Sequence, residues 1–305
     1  MHTSEKKRRS SAEVKIIHSI LKENHERSPM YRAFSPSHIS YSETLEISAP
    51  IAAANRFEGI FVNIENEKSL GIQKIKDLLA KYNLKAAGFE LPTSFYKEES
   101  EFEEDLIKLE RLAKFAKDCG FNDCTTYVFP ASETLDFAEN FKLHTERGKQ
   151  INEILKGNGI RFGLEFVGPY TLRKDARYTF IHDLDGILEL CDAIGDVGLL
   201  LDVFHWDLAG QTKEDFRKIK DASKIVCVHI NDAPAGVPFD EQLDQVRKLP
   251  GSTGVLRIGA FFDGLLELGY DGPVVCEPFV KELREMSLEE AAKMVAEAYD
   301  IVWPV

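Results

Sequence analysis

The chain has 305 residues, 44% of them hydrophobic and 29% charged, with a formal net charge of −13. That is the balance of an ordinary water-soluble globular protein with room for one large α/β domain or two smaller ones. The acidic excess repels phosphate backbones and argues against nucleic acid as a partner, and no apolar run approaches the ~20 residues needed to span a bilayer.

The opening stretch "MHTSEKKRRSS" is basic with no apolar segment behind it, so it is not expected to be a secretory leader. Its "KKRR" run reads as a solvated tail. Residues 1–30 form an N-terminal extension, within which "AEVKIIHSILKEN" would make one extra helix. The cysteines, Cys119, Cys124, Cys191, Cys227 and Cys276, are too few and scattered for a disulfide framework. They fit a reducing compartment, and the expected location is the cytoplasm. Cys227 and Cys276 lie in apolar, strand-like runs, where a buried thiol is expected.

From residue 31 short apolar runs alternate with longer amphipathic ones. The expected strands are "YRAFSPS", "GIFVNIE", "LKAAGFELP", "CTTYVFP", "RFGLEFVG", "VGLLLDVF", "IVCVHIND" and "PVVCEPF". Among the helical stretches between them, "SLGIQKIKDLLAKY" puts Ile72, Ile75, Leu78, Leu79 and Tyr82 on one stripe. "EEDLIKLERLAKFAKDCG" closes on Gly120, a natural C-cap. The final helix opens with Ser287 and Glu290, spaced as a capping box. Strands separated by helices return in parallel, because a parallel return needs a crossover. Eight such units match a closed (β/α)₈ TIM barrel, which takes about 250 residues. An open, doubly wound sheet would want a Gly-rich phosphate turn after an early strand, and none is present. The reading is one α/β domain over residues 31–305.

The last four strands end alike. "RFGLEF" carries Glu165, "GLLLDVF" Asp202, "IVCVHI" His229 and "PVVCEPF" Glu277. In a barrel those ends meet at one mouth, where sites are built. One carboxylate at a strand end is often only a helix cap. Three carboxylates and an imidazole converging there favour a metal site, because crowded carboxylates cannot all stay ionised without a cation. That donor set suits one divalent ion, Mn²⁺ first, with Mg²⁺, Co²⁺ or Zn²⁺ as alternatives. His205, three residues after Asp202, could reach a ligand or cap a helix. Trp206 could pack on a sugar face or close the barrel rim. His38 follows the first strand and is placed at the mouth. His144 and His182 fall in helical runs and are expected to face solvent. The loop "QVRKLPGSTG", residues 245–254, offers Arg247, whose fork could hold substrate oxygens and which is then expected to matter little for stability.

The runs "GLEFVGP", "VGLLLDVFHW", "VHINDAPAG", "VRKLPGSTG" and "VVCEPF" together resemble the xylose-isomerase-like TIM barrels, and within them the inosose (2-keto-myo-inositol) isomerase branch. The likeness is strong from about residue 155 to 280 and weaker before it. The loop reads "PGSTG" where the pattern has P-G-x-G. The resemblance implies one divalent metal held by Glu165, Asp202, His229 and Glu277, with the two glutamates handling protons and His205 and Arg247 on the substrate. It implies an isomerase or epimerase of a keto-sugar or keto-cyclitol in inositol or other carbohydrate catabolism, working through a metal-bound enediolate. A homo-oligomer is compatible with it. Alternatives are a keto-cyclitol or dehydroshikimate-type dehydratase, an AP endonuclease and a non-catalytic binding barrel. The endonuclease would need histidines on strands two and three, which have none, and the binding barrel would predict a broken ligand set.

Overall fold

The computed structural model describes residues 30–304. The extra helix expected before them lies outside the described residues. Eight parallel strands close into a barrel: β1 (Tyr31–Phe34), β2 (Gly59–Val62), β3 (Lys85–Glu90), β4 (Asp123–Val128), β5 (Arg161–Phe166), β6 (Gly198–Asp202), β7 (Ile225–Ile230) and β8 (Pro273–Cys276). Each pairs with its neighbours in chain order, and β1 closes against β8 with Tyr31 opposite Pro273. All eight expected strands are present. A small antiparallel ribbon, Ala131 and Ser132 against Tyr178 and Thr179, lies outside the barrel.

The helices form the outer layer: α1 (Leu45–Ala54), α2 (Ile64–Glu67), α3 (Ile72–Tyr82), α4 (Glu99–Cys119), α5 (Phe137–Gly157), α6 (Leu184–Ile194), α7 (Val203–Leu208), α8 (Ile258–Leu268) and α9 (Leu288–Val302). Their starts and stops follow local chemistry. Gly120 ends α4 at φ 102°, a conformation open to glycine. Ser287 and Glu290 make the reciprocal capping box of α9, and Asp136 and Glu139 make another at α5. In α3 the stripe buries Ile75 and Leu79, whereas Ile72, in the first turn, stays largely exposed. After β6 the expected helix is only the short α7, followed by a 3₁₀ segment, Lys213–Lys218.

Two cores result. The larger lies between the barrel wall and the helices. The smaller fills the barrel interior with Tyr31, Ala33, Phe61, Ala87, Leu200, Cys227 and Val275. Side chains alternate faces along a strand, so the residue two positions on points the same way, one layer nearer the mouth. Leu200 is followed in this way by Asp202, Cys227 by His229 and Val275 by Glu277. The apolar plug is thus the floor on which polar groups stand. All five cysteines are free and buried. Among the described residues, no helix is long and apolar enough to cross a membrane.

Both outlying histidines depart from the sequence reading. His144 is fully buried on the inner face of α5. Its ring stacks on Phe95 at 4.8 Å, and its Nδ1 meets the Asn140 carbonyl at 2.9 Å. Burial pushes its pKa down to about 4, so it is a neutral core residue. Helical periodicity placed it correctly on a helix but did not reveal that this face is covered. His182 is half-buried in the loop before α6, where its Nδ1 donates to the Phe180 carbonyl at 2.7 Å.

Candidate active site

Glu165, Asp202, His229 and Glu277 all reach the C-terminal mouth. Asp202 and His229 are register partners on β6 and β7, and Glu277 immediately follows β8. Two overlapping sets could hold a metal ion: Glu165, Asp202 and His229, and His38, His229 and Glu277, with ligand atoms in each set within 4.8 Å of one another. His229 stands between the glutamates. Its Nδ1 is 3.8 Å from Glu165 Oε1 and 3.6 Å from Glu277 Oε2. Glu165 Oε1 and both His229 ring nitrogens are buried without a hydrogen-bond partner. Buried polar atoms are normally paired, so three orphans on two neighbouring side chains mark a place built for an occupant.

Asp202 serves two purposes. Its Oδ1 accepts from the Phe204 amide at 2.7 Å, capping α7. Asn231 Nδ2 donates to both its oxygens, at 3.0 and 3.2 Å, and fixes the carboxylate plane. The cap expected of a lone strand-end carboxylate is thus made by the same residue that stands in the cluster with Glu165 and His229.

Arg247 is a buried side chain, not a surface-loop arginine. Its Nη1 donates to Asp202 Oδ2 at 2.6 Å and Glu277 Oε2 at 2.9 Å, and its Nη2 to Asp244 Oδ1 at 2.7 Å. The guanidinium is sandwiched between the rings of Phe204 and Phe279, at 4.6 and 4.7 Å. Phe279 holds that position at φ 43°, a left-handed conformation uncommon for a bulky residue. His205 Nε2 lies 3.2 Å from Arg247 Nη2. A guanidinium has no acceptor, so His205 must accept there and is neutral on that nitrogen. Burial, reinforced by Arg247, depresses its pKa despite the nearby acids. Gly168 permits this arrangement: a Cβ at that position would lie 2.3 Å from the His205 carbonyl oxygen.

The two glutamates titrate oppositely. Burial and the charges of Asp202 and Glu277 push Glu165 well above the usual carboxylate range. Burial opposes ionisation of Glu277 as well, but His229, Arg247 and His38 overcome it and hold Glu277 far below that range. Three carboxylates, Asp202, Asp244 and Glu277, share one guanidinium with Glu165 close by, which leaves a site hungry for positive charge.

Trp206 does not reach the mouth. Its ring is buried against Phe216 and Phe261, at 6.0 and 5.3 Å, with Arg257 over its face. The sugar-stacking role is therefore set aside; α7 turns this side chain into the helix layer, opposite to its neighbour His205. Three contributors escaped sequence reading: Asp244 and Asn231, described above, and Asp232. The Asp232 carboxylate accepts from the amides of Thr253, Gly254 and Leu256 at 2.8–3.1 Å and pins the "PGSTG" loop. The only sequence signal for them was their place: Asn231 and Asp232 close the expected strand "IVCVHIND", and Asp244 lies in the loop after it.

The depth of Arg247 reverses the expectation that it matters little for stability. Without it, Asp202, Asp244 and Glu277 lose the cation they share. In metal-free protein, Arg247→Ala is expected to cost about 3–5 kcal/mol near pH 8. The stripped carboxylates would bind protons more tightly in the folded than in the unfolded state, so the loss should shrink as the pH falls toward about 5. Urea melts at the two pH values check this; an equal loss at both would exclude an electrostatic origin.

The family model described as a xylose isomerase-like TIM barrel matches residues 50–298. An inosose isomerase from Halalkalibacterium halodurans is 32% identical over 149 residues, 47% of this chain and 48% of that protein. A probable ketose 3-epimerase from Synechocystis is 29% identical over 199 residues, 63% of this chain and 62% of that protein. The matches thus span about half to three-fifths of these relatives. Among solved structures, a xylose isomerase domain protein from Alicyclobacillus acidocaldarius superposes with a TM-score of 0.78 at 26% identity, covering 90% of this chain and 98% of that one. The IolI protein with a bound zinc atom superposes at 0.76 and 19% identity, over 90% and 98% of the two chains. The chain belongs to the xylose isomerase-like TIM barrel family.

Proposed function

We propose that the protein is a divalent-metal-dependent isomerase or epimerase of a keto-sugar or keto-cyclitol. The observation that carries this reading is the set of orphaned, buried donors of Glu165 and His229 at the barrel mouth, hemmed in by Asp202 and Glu277. The names of the inosose isomerase and ketose epimerase relatives support it. Glu165, Asp202, His229 and Glu277 would hold the ion, and their mix of carboxylate and imidazole fits Mn²⁺ first. When bound, the ion supplies a Lewis acid that polarises the substrate carbonyl.

The chain's own residues account for the proton movements. Glu277, held below the usual carboxylate range, would take the C–H proton next to the carbonyl. Glu165 comes from β5, with β6 and β7 between it and β8, so the two acids approach from different sides of the mouth. Proton return to the other face of the enediolate gives epimerisation; return to the neighbouring carbon gives isomerisation. His205 and Arg247 line a chamber beside the glutamates, where they would meet substrate oxygens.

The test is a screen of Mn²⁺-loaded protein against keto-inositols and ketohexoses in D₂O, followed by NMR. Conversion with deuterium beside the carbonyl is expected for at least one compound. Conversion of none of them would overturn the reading.

A further inference from the structure

The mouth is divided into two chambers. The smaller, of about 300 Å³, is lined by His205, Asp244 and Arg247. The larger, of about 400 Å³, runs toward β1, β3 and β4. Tyr127, Glu165, Glu277 and Phe279 line both, so the reacting groups stand at the partition. A substrate reacting there has the roomier chamber open to the rest of its length.

The chemistry of that chamber is one-sided. Its wall carries hydroxyls and aromatic rings, and Glu90 at its far side. No lysine or arginine lines it among the described residues. Glu90 ends β3 and is partly exposed to the cavity. One oxygen, Oε1, is engaged: it accepts from Ser37 Oγ at 2.9 Å and lies 3.3 Å from His38 Nε2. His38 in turn lies 3.8 Å from Glu277 Oε1, so it ties the far carboxylate to the reacting one. No hydrogen bond within the protein engages the second oxygen, Oε2, among the described residues. A fixed carboxylate with a free oxygen, set away from the proposed ion in a cavity that no lysine or arginine lines, accepts hydrogen bonds from hydroxyls and disfavours anions beside it.

We infer that the larger chamber is a recognition subsite for the hydroxylated, uncharged end of the substrate, with Glu90 as the residue that binds its hydroxyls and excludes phosphate and carboxylate groups. The inference rests on the proposed function and narrows it: the substrate is a neutral ketopolyol, not a sugar phosphate or sugar acid. Glu90 touches the non-reacting end, so its effect should scale with the length of the substrate.

The experiment compares wild type, Glu90→Ala and Glu90→Gln, each first shown to melt as a folded protein. Three probes are used with Mn²⁺-loaded protein in D₂O: dihydroxyacetone, which can fill only the partition; a neutral six-carbon ketose; and that ketose's terminal phosphate ester. Glu90→Ala is expected to lower the kcat/KM for hydrogen exchange of the six-carbon ketose at least about tenfold more than that of dihydroxyacetone, the loss of hydrogen bonds to a charged group. Wild type should disfavour the phosphate ester, and Glu90→Gln should narrow the gap between ester and neutral ketose. Equal losses for the long and short probes would make Glu90 a mere support for His38 and overturn the inference, as would a wild-type preference for the ester. If wild type exchanges none of the probes, the isomerase reading fails by itself. The subsite is then judged by calorimetric binding of myo-inositol, where a tenfold loss in Glu90→Ala sustains it and no loss rejects it.

Discussion

Asp202→Asn is expected to empty the proposed metal site while leaving the fold standing. Asparagine is as good a helix N-cap as aspartate, so the bond to the Phe204 amide survives and α7 keeps its start. What disappears is the negative charge and the anionic donor. Removing partners outside a metal's ligand set costs 10–100-fold in affinity, and losing a ligand should exceed about 100-fold. Asp202→Ala should lose the metal equally and also lose the cap, adding about 1 kcal/mol of destabilisation. In both variants Arg247 forfeits its shortest ion pair but keeps Glu277 and Asp244. Metal content by elemental analysis, set beside melting curves, separates the two roles of this side chain. Full metal occupancy in either variant would sink the ligand assignment.

Most of the architecture was readable because the periodicities are strong. Strands such as "VGLLLDVF" and "IVCVHI" are apolar on both faces, as parallel barrel strands must be, and each closes on a polar residue at the mouth. Glu165, Asp202, His229 and Glu277 could therefore be picked out, since a strand end in a barrel has only one place to go. The loop-borne half of the site was not readable. Asp244 and Asn231 meet Arg247 and Asp202 through folds of chain that no local pattern encodes. Arg247 itself was found, but its depth was not: burial of a loop residue depends on what closes over it, here Phe204 and Phe279. Trp206 and His144 failed for a related reason. Each sits on a helix whose inner face is set by packing against neighbours, and a short segment such as α7 gives too few turns to show which side is apolar.

Substituting glutamine at Glu165 or Glu277 is expected to abolish net conversion, but the two variants should differ in what survives. Glutamine keeps the shape and an oxygen donor and removes the base. Glu277 is held as a carboxylate by His229, Arg247 and His38, so Glu165→Gln retains a group able to take the substrate's proton and return it to the same face. That variant should exchange the hydrogen beside the carbonyl with solvent deuterium while making no product. Glu277→Gln leaves only Glu165, whose burial among like charges favours its protonated form. In metal-free protein a protonated acid cannot begin the reaction, so exchange and conversion should both vanish; with the ion bound, Glu165 returns to a carboxylate, and exchange on its own face is expected without net conversion. Following exchange by Mn²⁺-loaded Glu277→Gln across pH reads that contribution: exchange already at its plateau below neutral pH would show that the ion holds Glu165 as a carboxylate, and exchange that rises through neutral pH would show Glu165 still titrating. Conversion by the wild type with no deuterium in the product would point to a hydride shift between neighbouring carbons and would rule out proton transfer by either glutamate. The opposed environments of the two acids make exchange without turnover the more informative signal, because it shows which face of the intermediate each carboxylate serves.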